Sequence, residues 1–243
     1  MREGLPRSRR RCRRAHRRRR RRPVPRHHTG QPASPPRHRP VEVRALFIAV
    51  EGPNGVGKTT IARLLADRLA DTSPAGVHLT AEPTRTPLGQ LLRRQEAFLH
   101  GRAFALAVAA DRAAHIDTEI IPRLDDGLHV VTDRYVASSL VLQRIDGLDL
   151  TEIWSYNRYA LPATVVYLED DPDVIQARLT ARPHLTRLEA TGTPAKELAL
   201  YRDAARHLQR HEWRQHTITC DSLTPEQIVT TILGLLPTHC PDQ

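Results

Sequence analysis

The stretch EGPNGVGKTT, residues 51–60, holds one of only two lysines in this 243-residue chain; the other 35 basic residues are arginine. Gly52, Pro53, Asn54, Gly55, Val56, Gly57, Lys58 and Thr59 fit the pattern G-x-x-x-x-G-K-[ST] at every position, and Thr60 follows at the loop's exit. Before it, ALFIAV (45–50) reads as a buried strand. After it, Ile61, Leu64, Leu65 and Leu69 fall on one face of a helix over 58–70. A strand, a glycine loop and a helix in that order is the context in which this motif forms a phosphate-binding P-loop. The glycines let backbone N–H groups turn inward around phosphate oxygens, and the helix points its positive end at the same spot. Lys58 reaches the outer phosphates as a compact point charge where arginine's wide fork would not fit. Thr59 offers a hydroxyl to Mg²⁺. An arginine-biased composition keeps its lysine here because nothing else serves.

Working outward, VHLT (77–80), HVVT (129–132), ATVVYL (163–168) and HTITC (216–220) read as four further strands. Between them lie helical patterns over 88–94, 102–125, 136–143, 150–160, 172–181, 195–211 and 225–236. Pro122 is placed to kink the long alanine-rich helix near its end. Residues 182–194 read as polar and irregular. Apolar strands alternating with helices predict an α/β fold, a P-loop NTPase three-layer αβα sandwich with a five-stranded parallel sheet and a short lid. One domain is expected over 41–237, followed by a tail over 238–243.

The net charge of +10 is unevenly spread. Residues 1–40 carry 16 arginines and one acid, Glu3, whereas the remainder has 21 basic and 26 acidic residues. With almost nothing apolar to bury, residues 1–40 read as a disordered arginine-rich extension. Three readings stand for it: upstream sequence ahead of a true start at Val41 or Val43, an inert tail, or an arm for anionic partners. Met1 is the only methionine, which favours the first. No apolar run is long enough to span a membrane, and no secretory signal is legible. Cys12, Cys220 and Cys240 lack metal-ligand spacing, so a cytoplasmic setting is expected.

A second motif ends the third strand. In VVTDRY, Asp133 at a strand's carboxyl end faces the P-loop, where it can hold Mg²⁺ directly or through water. Arg134 beside it can clamp a phosphate with both arms of its fork. In RLTARPHLTRLEATG, Arg178, Arg182 and Arg187 sit on a segment that can close over phosphates and neutralise charge on a transferred phosphoryl group. The guanine-reading N-K-x-D is absent, which argues against a GTPase and for a small-molecule phosphotransferase.

These pieces together resemble the thymidylate kinase family. The matching segments are EGPNGVGKTT, EPTRTPLG (82–89), AADRAAH (109–115), DRYVASSLVLQ (133–143), LPATVVYLEDDP (161–172), TRLE (186–189) and ITCDSLTPEQI (218–228), in family order. The resemblance implies ATP-dependent, Mg²⁺-dependent phosphorylation of a deoxynucleoside monophosphate, dTMP to dTDP, by a homodimer packed through helices. It implies that Lys58 and Thr59 hold ATP phosphates and Mg²⁺, and that Arg112 and Arg134 grip the acceptor's phosphate and neighbouring charges. Glu82, Arg85, Val108, Ser139 and Gln143 complete the substrate side. Because position 56 is valine, the catalytic arginine would come from the lid, as Arg182 or Arg187.

Four positions depart from the family pattern. Asn54 stands where many members carry an acid near the acceptor sugar, and Val108 where a phenylalanine usually stacks on thymine. Leu142 replaces a frequent tyrosine, and Thr186 the acid before the lid arginine. Phe104, one turn before Val108, can partly restore the stack. Other readings are a related kinase for another nucleotide, a deoxynucleoside kinase using Glu51 or Glu82 as base, or a non-catalytic nucleotide-binding protein with an arginine-rich nucleic-acid arm. The intact Lys58, Thr59, Asp133 and Arg134 argue against the last, and nucleic acid is not an expected partner.

Overall fold

Phe47–Glu51, the strand that feeds the glycine loop, is buried along its whole length because both of its faces are covered. Phe47 and Ala49 point into one apolar cluster, Ile48 and Val50 into another. This strand, β1, lies at the middle of a five-stranded sheet with β2 (Val77–Ala81), β3 (His129–Asp133), β4 (Thr164–Glu169) and β5 (Gln215–Thr219). The order is β2-β3-β1-β4-β5, and every pairing is parallel. Parallel strands need crossover helices, and those helices supply the cover on both faces. The computed structural model describes residues 45–74 and 76–237. All of these belong to the unit Val41–Gln243. The arginine-rich extension 1–40 and the tail 238–243 lie outside the described residues.

Ten α-helices are described. On one face α1 (Lys58–Thr72), α7 (Pro172–Thr180) and α10 (Pro225–Leu235) pack Leu65, Ile175 and Ile232 onto Ile48, Val50, Val166 and Leu168. On the other, α5 (Val136–Ile145), α6 (Leu150–Asn157) and α9 (Pro194–Gln209) pack Leu140, Ile153 and Leu208 against Phe47, Ala49 and Val165. The expected three-layer sandwich is therefore present, and each strand falls within two residues of its predicted position.

Two local differences have clear causes. The long helix predicted over 102–125 is α3 (Gly101–His115), a π-helical turn (Ile116–Ile120) and α4 (Ile121–Asp125) in unbroken succession. Pro122 has no N–H and its ring crowds the carbonyl four residues earlier. Widening the preceding turn, with the Ile121 N–H bonding back to the Ile116 carbonyl, accommodates it and keeps Ile116 and Ile120 in the core. The segment read as irregular over 182–194 contains α8 (Arg187–Thr191), opened by a capping box in which Thr186 and Glu189 satisfy each other's backbone N–H groups.

α2 (Pro87–Gln95) and the loop before it shape the front of the sheet's carboxyl edge. Asp111 of α3 accepts hydrogen bonds from the Thr84 N–H and hydroxyl, both at 2.7 Å, pinning this loop. Gly89 of α2 lies so close to it that a Cβ would come within 2.1 Å of the Thr84 carbonyl oxygen. Gly89→Ala should displace the 82–86 loop and destabilise the protein by about 1–3 kcal/mol, as overpacking typically does. In thermal unfolding that lowers Tm by about 2–4 °C per kcal/mol for a domain of this size.

Candidate active site

The sheet order reverses at β1, so a crevice opens beyond the carboxyl ends of β1, β3 and β4. The glycine loop fills one side of it. Lys58 opens α1, and its Nζ donates to the Gly52 and Pro53 carbonyls at 2.8 and 2.7 Å. Burial pulls the Lys58 ammonium down to a pKa of about 7, and Arg134 adds to the shift while Asp133, Glu51 and Glu197 oppose it. An anion brought against Lys58 reverses that shift, because it favours the charged form. No acid sits in the first turn of α1, so its positive end is not neutralised within the helix.

Strand register brings Asp133 to the same spot. It pairs with Val50 of β1, one residue short of that strand's end, and with Ala81, the last residue of β2 before the 82–86 loop. Asp133 Oδ2 accepts the Thr59 hydroxyl at 2.5 Å, and Asp133 Oδ1 is buried with no protein partner. Two hard oxygen donors, one with an orphaned lone pair, fit a small divalent cation such as Mg²⁺.

Arg134 follows in a left-handed conformation, φ 73°. Such a backbone costs a non-glycine residue energy and persists only where the surroundings over-determine it. Here its N–H donates to the Val50 carbonyl at 3.1 Å, and the next residues are held by Glu51. The Glu51 carboxylate accepts from the Tyr135 N–H at 2.7 Å, the Ser138 N–H at 3.1 Å and the Ser138 hydroxyl at 2.6 Å. Burial pushes the Glu51 carboxyl above its ordinary range against the pull of these donors. Arg134 Nη2 donates to Asn54 Oδ1 at 2.6 Å, while its buried Nη1 has no protein partner.

Arg134 and Asn54 stand between two cavities and line both. The larger, about 380 Å³, is walled by Phe104, Val108 and Arg112 of α3 and by Ser139, Leu142 and Gln143 of α5. Glu82 and Pro83 close one end, and Thr186, Leu188 and Glu189 cover it from the α8 segment. The smaller, about 190 Å³, runs along Gly55, Gly57, Lys58, Thr59 and Thr60 with Arg182 opposite. A third, also about 190 Å³, shares Gly55, Gly57 and Thr60 with it and continues past Val56 to Arg178, Cys220 and Leu223.

The sequence-predicted residues sort themselves against these cavities. Glu82, Val108, Arg112, Arg134, Ser139 and Gln143 meet around the larger one. Gln143 keeps its buried Oε1 without a protein partner. Arg112 is 1% exposed and donates to Glu82 (2.8 Å), the Tyr135 carbonyl (3.0 Å), Ser139 (2.9 Å) and Asn157. Glu82 is committed to Arg112 and to His115 Nδ1 at 3.1 Å, and Glu51 to the start of α5, so neither acid is free to act as a general base. Arg85 is exposed and lines none of these three cavities. Arg93 of α2, which has no motif to announce it, lines the larger cavity instead and donates to the Thr84 and Pro83 carbonyls. The two lid arginines part company. Arg182 faces the glycine loop, whereas Arg187 is bound to Asp146 at 2.5 Å and to the Glu96 carbonyl at 2.8 Å. Glu197 of α9, also unannounced, grips Asn54 through its N–H and side-chain amide.

Comparison with known proteins points to one family. The family model described as thymidylate kinase matches residues 50–232. A probable thymidylate kinase of Thermococcus kodakarensis is 43% identical over 138 residues, 52% of this chain and 67% of that protein. Another from Pyrococcus horikoshii is 39% identical over 159 residues, 62% of this chain and 73% of that protein. Among solved structures, a thymidylate kinase from Candida albicans superimposes with TM-score 0.61 at 20% identity, covering 79% of this chain and 91% of that one. At that identity the likeness speaks for the fold.

Arg112 is a fully buried cation whose charge is met by Glu82, with a closest N···O distance of 2.6 Å. Arg112→Ala should therefore destabilise the nucleotide-free protein by about 3–5 kcal/mol, the usual cost of leaving a buried charge unpaired. In urea unfolding the double variant with Glu82→Ala should cost clearly less than the two single changes added together.

Proposed function

The chain belongs to the thymidylate kinase family, and we propose that it transfers the terminal phosphoryl group of ATP to dTMP, giving ADP and dTDP. The observation that carries this reading is Arg134: one guanidinium nitrogen without a protein partner, held between two cavities that meet at it. ATP phosphates belong along Gly55–Thr60, against the amides of the loop, the open end of α1 and Lys58. The adenosine end continues past Arg178 and Leu223. The monophosphate belongs in the larger cavity, its phosphate toward Arg134 and its base between Phe104, Val108 and Leu142. Gln143 Oε1 is an acceptor suited to the N3–H that thymine and uracil carry and cytosine lacks. Arg112, its donors already engaged, holds Ser139 and the cavity's inner wall in position.

An oxygen of the acceptor phosphate attacks the γ-phosphorus as the bond to the β,γ-bridging oxygen breaks, and ADP departs with that electron pair. The acceptor is already an anion, so no general base is required; alignment and charge neutralisation do the work. Thr59 and Asp133 would hold Mg²⁺, which supplies charge stabilisation at the phosphates when bound. Arg182 meets the charge developing on the transferred group, and Arg187 anchors the lid through Asp146. We read the protein as cytoplasmic, with 41–237 as the catalytic domain. We also read it as a homodimer, for which Leu91, Phe98 and Leu106, exposed apolar residues of the α2–α3 region, provide a surface. Among the described residues no helix is long and apolar enough to cross a membrane.

A coupled ADP-release assay tests this. Turnover is expected with dTMP and, more weakly, dUMP, and not with dCMP. Lys58→Ala should abolish it while leaving the melting temperature close to the parent's, because the side chain serves ligand rather than core. Arg182→Ala should lower kcat by about 10²–10³-fold, the usual loss for one preorganised charge-stabilising group. A chain starting at Val41 should turn over dTMP as the full chain does. Absence of dTMP-dependent ADP release from the parent protein would refute the assignment.

A further inference from the structure

Glu197 is 2% exposed and belongs to the first turn of α9. Its carboxylate has no cation in direct contact among the described residues. What satisfies it is the glycine loop: Asn54 N–H donates to Oε2 at 2.7 Å and Asn54 Nδ2 to Oε1 at 3.1 Å. Asn54 passes the constraint on. With its amide nitrogen committed to Glu197, its Oδ1 faces the opposite way and accepts from Arg134 Nη2 at 2.6 Å. The reverse amide orientation would set an oxygen against a carboxylate and an N–H₂ against a guanidinium, so this orientation is the one the network allows. Arg134 Nη1 is thereby left as the unpaired donor between the two cavities.

The same carboxylate lies close to the backbone that leaves the lid. Only Gly192 and Thr193 separate α8 from α9, and a Cβ on Gly192 would lie 3.0 Å from Glu197 Oε1. The lid's exit thus rests on the group that fixes Asn54. A buried carboxylate is a costly way to hold one loop in place when a neutral acceptor could serve. Its negative charge, however, is felt by both Lys58 and Arg134.

We propose that Glu197 is a positioning residue for phosphoryl transfer, acting through Asn54 to aim Arg134 at the acceptor phosphate and tying that aim to the seating of the lid. It touches neither nucleotide. The inference rests on the kinase reading above and adds a residue that no motif marks.

The test is an exchange of the carboxylate and amide across the contact. Glu197→Gln sets an N–H₂ against Asn54 Nδ2, so Asn54 loses its orientation and Arg134 its acceptor. The kcat should fall by about 10²-fold, the loss typical of a slight misplacement near the chemistry. KM for ATP should change by less than about threefold, because ATP's own contacts are untouched. Asn54→Asp alone opposes two buried carboxylates and should also be impaired. The double variant Asn54→Asp/Glu197→Gln restores complementarity, with the amide donating to position 54 and the new carboxylate accepting from Arg134. It should recover at least about tenfold of the lost kcat, a coupling that a purely structural staple would not produce. Unchanged kcat in Glu197→Gln, or a double variant no better than that single one, would overturn the proposal. Should Glu197→Gln not fold, the double variant decides: folded and active supports the proposal, folded and inactive or unfolded overturns it. The parent protein is assayed in parallel, and its failure to phosphorylate dTMP would count against the kinase reading instead.

Discussion

A single buried carboxylate, that of Glu51, organises the carboxyl edge of the sheet. It sits at the last residue of the central strand, and its oxygens take three hydrogen bonds from the start of α5. The glycine loop leaves from the residue after it, and Arg134 sits just before the backbone it holds. The two halves of the crevice, the glycine-loop side and the larger cavity beyond Arg134, are therefore referenced to one side chain. Burying a carboxylate is expensive, and here the helix N-terminus and the hydroxyl of Ser138 offset much of that expense. The left-handed backbone at Arg134 persists because β1 and Glu51 fix the residues on either side of it.

Among the described residues eight buried side-chain atoms lack a protein partner, and three of them gather at the crevice. Asp133 Oδ1, Arg134 Nη1 and Gln143 Oε1 are buried and lack protein partners. Each lies at or beside the crevice, with a role open to it: a cation, a phosphate and a base edge. Buried unpaired groups elsewhere in a fold are penalties, but at a site they are the donors and acceptors reserved for ligand. Lys58 tells the same story through charge. Burial makes its ammonium costly to keep, and a polyphosphate is the natural remedy.

The acceptor cavity shows how the departures from the family pattern are absorbed. Val108 brings no aromatic face, yet Phe104 lies one turn away on the same wall, and Leu188 joins both in a small apolar cluster beneath the lid. Position 54 has no acid, and a buried carboxylate arrives from Glu197, far along the chain, to hold the asparagine that stands there. In the first case the neighbour is one helical turn away; in the second it is supplied only by the tertiary fold.

The sequence by itself determined the glycine loop, the Asp133–Arg134 pair, five apolar strands and the alternation that makes them parallel. Those features are local: a phosphate cradle needs its glycines, lysine and threonine adjacent, and a buried strand is a short contiguous run. The segment read as irregular hides a capping box at Thr186 and Glu189, whose T-x-x-E spacing is the signal that could have found α8. What only the tertiary structure decided was which arginine faces which cavity. Arg93 rather than Arg85, and Arg182 apart from Arg187, were separated by packing, because an arginine's direction depends on the acceptors that the fold brings to it. Glu197 belongs to the same class: it is 143 residues from Asn54 in sequence. A hydrogen bond of that kind has no periodicity or spacing to betray it, and exists only once the sheet and its helices have closed around the loop.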